Sequence, residues 1–153
     1  MNLRRGLLVL SLLASAACGL AAHAETYSHR QYYGPWLQKE SYYYRYYYYK
    51  PTSEYAGYKH FYCLYYPTKA AHYYYYDPYR KVYWGRCPTQ CYGKPQYSQL
   101  AEEDRKPTLA EIPEEKFPKP EKLPEIPESK DGAKLDLPPD DVPEQTRPPA
   151  VSM

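Results

Sequence analysis

Along this chain the apolar positions fall into three regimes. Residues 6–17 are an unbroken run of apolar and small side chains. Residues 42–86 hold short aromatic runs separated by polar turns. Beyond residue 97 isolated apolar residues stand beside prolines, with no helical or strand period. The middle regime predicts strands at 42–49, 58–66, 72–76 and 81–86, because tyrosine packs well on a pleated, half-buried surface. Turns are predicted at 50–57, 67–71 and 77–80, where proline, glycine and aspartate cluster. In Asp77-Pro78-Tyr79-Arg80 the proline presets the φ that a type I turn needs. The expected fold is small and all-β: a four-stranded antiparallel meander over about 42–86.

Register follows from the turns. With 77–80 as a loop, Tyr76 faces Lys81, Tyr74 faces Tyr83 and Tyr73 faces Trp84; with 67–71 as a loop, Leu64 faces Tyr74. Side chains alternate across a sheet, so Phe61, Cys63, Tyr65, Tyr73, Tyr75, Val82 and Trp84 share a first, more apolar face. His60, Tyr62, Leu64, Tyr66, His72, Tyr74, Tyr76, Lys81 and Tyr83 share a second face, expected to be wet. Arg45 joins the second face if Tyr49 lies opposite Tyr58.

Composition sharpens this picture. All 23 tyrosines lie between Tyr27 and Tyr97, and 11 of the 17 prolines from Pro107 onward. Residues 25–97 carry ten Lys/Arg against four acids, and residues 98–153 carry eight against fourteen, so a basic part (+6) precedes an acidic one (−6). A leucine-rich sheet would expose a greasy patch. A tyrosine has an apolar body and a hydroxyl that water can satisfy, so it suits dry and wet faces alike. The tyrosines then read either as purely structural or, on the second face, as a stacking platform of Tyr62, Tyr66, Tyr74, Tyr76 and Tyr83 with Arg45 and Lys81.

The acidic part is expected to be a largely disordered tail over 98–153, with a short helix near 98–106 capped by Ser98. Thr108 to Glu111 has capping-box spacing, and Pro113 stops that turn. The pairs Ile112-Pro113, Phe117-Pro118, Leu123-Pro124, Ile126-Pro127, Leu137-Pro138 and Val142-Pro143 favour extended geometry. Such segments dock on aromatic grooves, so the tail either lies over 112–143 against its own tyrosine face or is a solvated arm.

Of the four cysteines, Cys63 and Cys87 come out roughly 19 Å apart on this register, far beyond the reach of a disulfide. Cys87 and Cys91, within CPTQC, are the predicted pair, and Cys63 a buried thiol. His60 and Cys63 point to opposite faces, so neither a metal site nor a nucleophile pair is expected. Phosphate loops, nucleophile elbows and zinc-protease motifs are missing, and carboxylates are scarce among the tyrosines. No enzyme activity and no cofactor are expected. Rings interleaved with cations suit single-stranded nucleic acid too, but the acidic tail would compete for that surface, and sugar faces or anionic envelope polymers suit it better.

Residues 1–24 read as a secretory signal: Arg4 and Arg5, the apolar run, then Ala22-His23-Ala24 before Glu25. The run is short of the roughly 20 residues a spanning helix needs. The alternative is a lipoprotein signal ending at Cys18, the one route to membrane attachment expected here. At YYYRYYYYKPTSEYAGYKHFYCLYYP, DPYRKVYWGR and AEEDRKPTLAEIPEEKFPKP the sequence resembles a family of tyrosine-rich exported proteins of planctomycete bacteria. The likeness spans roughly residues 41–145 and is most specific in DPYRKVYWGR. It implies an exported envelope protein and assigns no functional residue. The expectation is a secreted or periplasmic, non-enzymatic structural or adhesive envelope protein; the alternative is a carbohydrate-binding module that uses the exposed tyrosine face, with envelope polysaccharide or another envelope polymer as partner.

Overall fold

The computed structural model describes residues 29–90, 94 and 96–143. The predicted signal, Cys18 and Cys91 lie outside the described residues. The described residues form one antiparallel sheet of seven strands: β1 (Gln31–Tyr33), β2 (Leu37–Lys39), β3 (Tyr42–Tyr49), β4 (Lys59–Tyr65), β5 (His72–Asp77), β6 (Val82–Pro88) and β7 (Ser98–Gln99). Strands β3 to β6 are the expected meander. The short strands extend it: β1 and β2 both pair along β3, and β7 pairs with β6. Pro35 has no N–H to donate, and the edge slips by one residue around it, from Tyr33↔Tyr47 to Leu37↔Tyr44.

The β4–β5 register agrees with expectation, with Leu64 opposite Tyr74. Two registers differ. Tyr49 lies opposite Lys59 rather than Tyr58, and a one-residue slip turns a whole strand over. Tyr43, Arg45, Tyr47 and Tyr49 therefore join the first face, and Tyr42, Tyr44, Tyr46 and Tyr48 the second. Between β5 and β6, Tyr76 lies opposite Tyr83, not Lys81, because β5 continues through Asp77. Asp77 is buried, and its Oδ1 accepts the amides of Tyr79 (2.8 Å) and Arg80 (3.1 Å). Lys81 closes the turn at φ +59°, exposed and outside the strand. A bulge follows between Tyr75 and Tyr76.

Each face has its own core. The first gathers Tyr47, Tyr49, Phe61, Cys63, Tyr65, Tyr73, Tyr75, Trp84, Cys87 and Tyr97 with Ile126 and Leu135. The second gathers Leu64, Tyr74 and Tyr83 with Leu100, Ile112 and Phe117. The acidic segment thus supplies apolar residues to both. Over 98–143 it is an ordered strap rather than the expected disordered tail. Nor does 98–106 form the expected helix: β7 occupies Ser98–Gln99, and Glu102–Asp104 is a single 3-10 turn. Pairing with β6 takes those residues first, since the Leu100 amide donates to the Trp84 carbonyl (3.0 Å). At Leu109–Glu111 both capping-box bonds form, and the turn ends before Pro113.

Backbone bonds fix the strap further along. Tyr97 and Glu121 exchange both amide bonds at 3.0 Å, Ile126 donates to Ala133 (2.8 Å) and Leu135 to Pro124 (2.9 Å). Carboxylates of the strap meet cations of the sheet at Arg30–Asp131, Arg45–Asp141, Lys59–Glu128 and Arg86–Glu114. The two oppositely charged parts of the sequence therefore share one fold.

Candidate functional site

The second face is a field of tyrosine rings, half covered. Along β3 the rings of Tyr42, Tyr44, Tyr46 and Tyr48 follow one another at 6.5, 6.2 and 5.5 Å between centroids, and Tyr32 of β1 stacks on Tyr48 at 4.6 Å. Across the strands Tyr46 meets Tyr62 (5.2 Å), Tyr42 meets Tyr66 (5.3 Å) and Tyr76 meets Tyr83 (5.2 Å). Several contacts are edge-to-face, the arrangement that ring quadrupoles favour. Between the rings runs a groove of about 410 Å³, lined by Lys39, Tyr42, Tyr44, Tyr46, Tyr62, Leu64, Tyr66, Tyr76, Tyr83 and Pro107.

Of the seven expected binding residues, Tyr62, Tyr66, Tyr76 and Tyr83 line this groove. Tyr74 sits on the same face, but Phe117 of the strap packs edge-on against it (6.1 Å), with the Arg86 guanidinium 4.1 Å from the Phe117 ring. Lys81 stays in its turn. Arg45 is on the opposite face, and Lys39 is the cation that lines the groove instead. Tyr42, Tyr44 and Tyr46 join it, residues that the alternation of YYYRYYYY would have given had the register been one residue different.

Burial raises the phenol pKa values of Tyr66 and Tyr83, and that of Tyr62 rises through burial together with its contact to Tyr46. The phenols stay neutral, and the Tyr66 and Tyr83 hydroxyls share a hydrogen bond of 2.8 Å. His60, against Tyr46 at 5.1 Å, is pushed down by burial. No carboxylate is among the lining residues. The groove can offer ring faces, hydroxyls and one ammonium; it holds no acid–base pair.

Arg45, 1 % exposed, stacks on Trp36 at 4.1 Å and lies 5.0 Å from the Tyr33 ring. It donates to both Asp141 oxygens, at 2.9 and 3.1 Å. Losing one partner of such a pair strands a charge, whereas an apolar isostere does not. Asp141→Ala should cost about 2 kcal/mol, below the range for fully buried pairs because Asp141 is half-exposed. Arg45→Met should remain within about 1 kcal/mol of the parent. Urea denaturation checks the asymmetry, and a costlier Arg45→Met would refute it.

Burial pushes the Cys63 thiol up to about 12, so it is a poor nucleophile. Cys87 is buried in β6, with Tyr75 opposite Gly85 and Tyr73 opposite Cys87. Its expected partner, Cys91, is outside the described residues. Among the described residues no three His, Cys, Asp or Glu side chains cluster as metal ligands, and no helix is long and apolar enough to cross a membrane. No protein-family model, curated protein or solved structure matches the chain.

Proposed function

We propose that the protein is an exported, non-enzymatic adhesive component of the cell envelope, and that its tyrosine groove holds a carbohydrate polymer. The observation that carries this reading is the lining of the groove: seven phenol rings, one lysine and no carboxylate. Concave sites with an aromatic wall and few polar groups are the usual form of a binding site, and tyrosine edges offer both ring faces and hydroxyls to a sugar. Export rests on the basic, apolar and small residues of 1–24. The likeness to tyrosine-rich exported proteins of planctomycete bacteria belongs to the same proposal.

A glycan array probed with the parent and with the Tyr46→Ala/Tyr62→Ala double variant tests it. By analogy with bases stacked on aromatic side chains, each ring should contribute about 1–3 kcal/mol. The double variant should then bind at least tenfold more weakly. Equal retention of every glycan by parent and variant, or none retained by either, would end the reading.

A further inference from the structure

On the first face, away from the groove, lies a second cavity of about 410 Å³ floored by Tyr49, Phe61 and Trp84. Its polar wall includes Arg80 and Arg105. The Nη1 atoms of both arginines approach the same carboxylate oxygen, Glu102 Oε1, at 3.5 and 3.8 Å. Neither distance makes a hydrogen bond, and the Glu102 side chain is 79 % exposed. Among the described residues the only side-chain hydrogen bond from either guanidinium is Arg105 Nε to the Leu100 carbonyl, 3.1 Å. Both guanidinium groups line the cavity, and among the described residues most of their N–H groups make no hydrogen bond to protein. Burial lowers the pKa of Arg105, and the carboxylate of Glu102 offsets this only in part.

The acids in the wall are already engaged. Asp77 Oδ1 holds the turn amides, Glu128 pairs with Lys59, and Glu125 lies 3.5 Å from Lys134. Guanidinium forks match carboxylates bidentately and bind them more strongly than they bind neutral acceptors. An incoming carboxylate could displace Glu102, which is loosely held. The aromatic floor beside the arginines suits a ring attached to that carboxylate.

We propose that this cavity binds a carboxylated sugar, a uronic acid residue, with its carboxylate on Arg80 and Arg105 and its ring towards Trp84 and Phe61. The site is independent of the tyrosine groove. Titrating the full chain with galacturonate trisaccharide and with the matching neutral galactose trisaccharide, by calorimetry, tests it. The uronate should bind at least tenfold more tightly than the neutral sugar. Arg105→Gln and Arg80→Gln should each weaken the uronate at least tenfold, and Tyr46→Ala/Tyr62→Ala should leave it unchanged. Should Arg105→Gln misfold through loss of its Leu100 bond, Arg80→Gln decides alone, since its side chain is 61 % exposed and, among the described residues, is paired only with Glu102. Equal binding of the two sugars, no uronate binding, or full affinity in Arg80→Gln would overturn the proposal.

Discussion

Gly85→Ala is expected to lower stability by about 3 kcal/mol or more, the upper end of what overpacking costs. The cause is the bulge in β6. Tyr76 pairs with Tyr83 and Tyr75 with Gly85, so Trp84 is the extra residue, and Trp84 and Gly85 both turn to the first face. Trp84 fills its share against Phe61 (5.5 Å) and Tyr97 (5.3 Å). The space over Gly85 belongs to Tyr97. A Cβ there would come within 2.5 Å of the Tyr97 ring and 2.6 Å of the Ser98 carbonyl. The ring is buried and the carbonyl is backbone of β7, which itself pairs with Gly85 through Gln99. Neither can move without unzipping β7 or opening the first-face core. On the scale of a small domain the change corresponds to a fall of roughly 10 °C in Tm. Thermal unfolding followed by circular dichroism checks it, and a midpoint within about 2 °C of the parent would contradict the close packing of Tyr97.

The meander was legible because each of its hairpins announces itself twice, in a turn and in an aromatic run. Leu64 opposite Tyr74 follows from the loop at 67–71 alone. Arg45 shows where such reading stops. The loop between β3 and β4 has no short turn to count from, and the choice between Tyr58 and Lys59 as the partner of Tyr49 decides which face every residue of β3 joins. With tyrosine on both sides, hydrophobic pattern cannot arbitrate. The buried arginine could have done so only if Trp36 and Asp141 were known to meet it. The groove was partly legible for the same reason: Tyr62, Tyr66, Tyr76 and Tyr83 sit on strands whose faces were fixed, while Tyr42, Tyr44 and Tyr46 sit on β3. The arginine cavity was not legible, since Arg80 and Arg105 are brought together only by strap residues with no periodicity. β1, β2 and β7 are two or three residues long, below what alternation can mark.

The strap poses the sharpest contest between two forces. Opposite charge first suggests that the acidic segment binds the basic sheet, and five ion pairs do cross between them. In each, however, the strap carboxylate is at least 48 % exposed; pairs so open to water contribute about 0–1 kcal/mol each, and the one at the buried Arg45 costs about 2 kcal/mol when its carboxylate is lost. Leu135 and Ile126 are 0 and 1 % exposed on the first face, and truncating a side chain so placed costs about 2–5 kcal/mol. Burial therefore outweighs charge in holding the strap. Leu135→Ala and Ile126→Ala are each expected to lower stability by about 3 kcal/mol, and Val142→Ala, at an exposed site, by no more than about 0.5 kcal/mol. Raising the salt to about 1 M, where the Debye length falls to about 3 Å, should move the unfolding midpoint far less than either core substitution does. Chemical denaturation of the three variants at low and high salt measures all of this. Wild-type stability in Leu135→Ala together with a collapse in salt would mean that the strap is an electrostatic attachment and the first face is completed by something else.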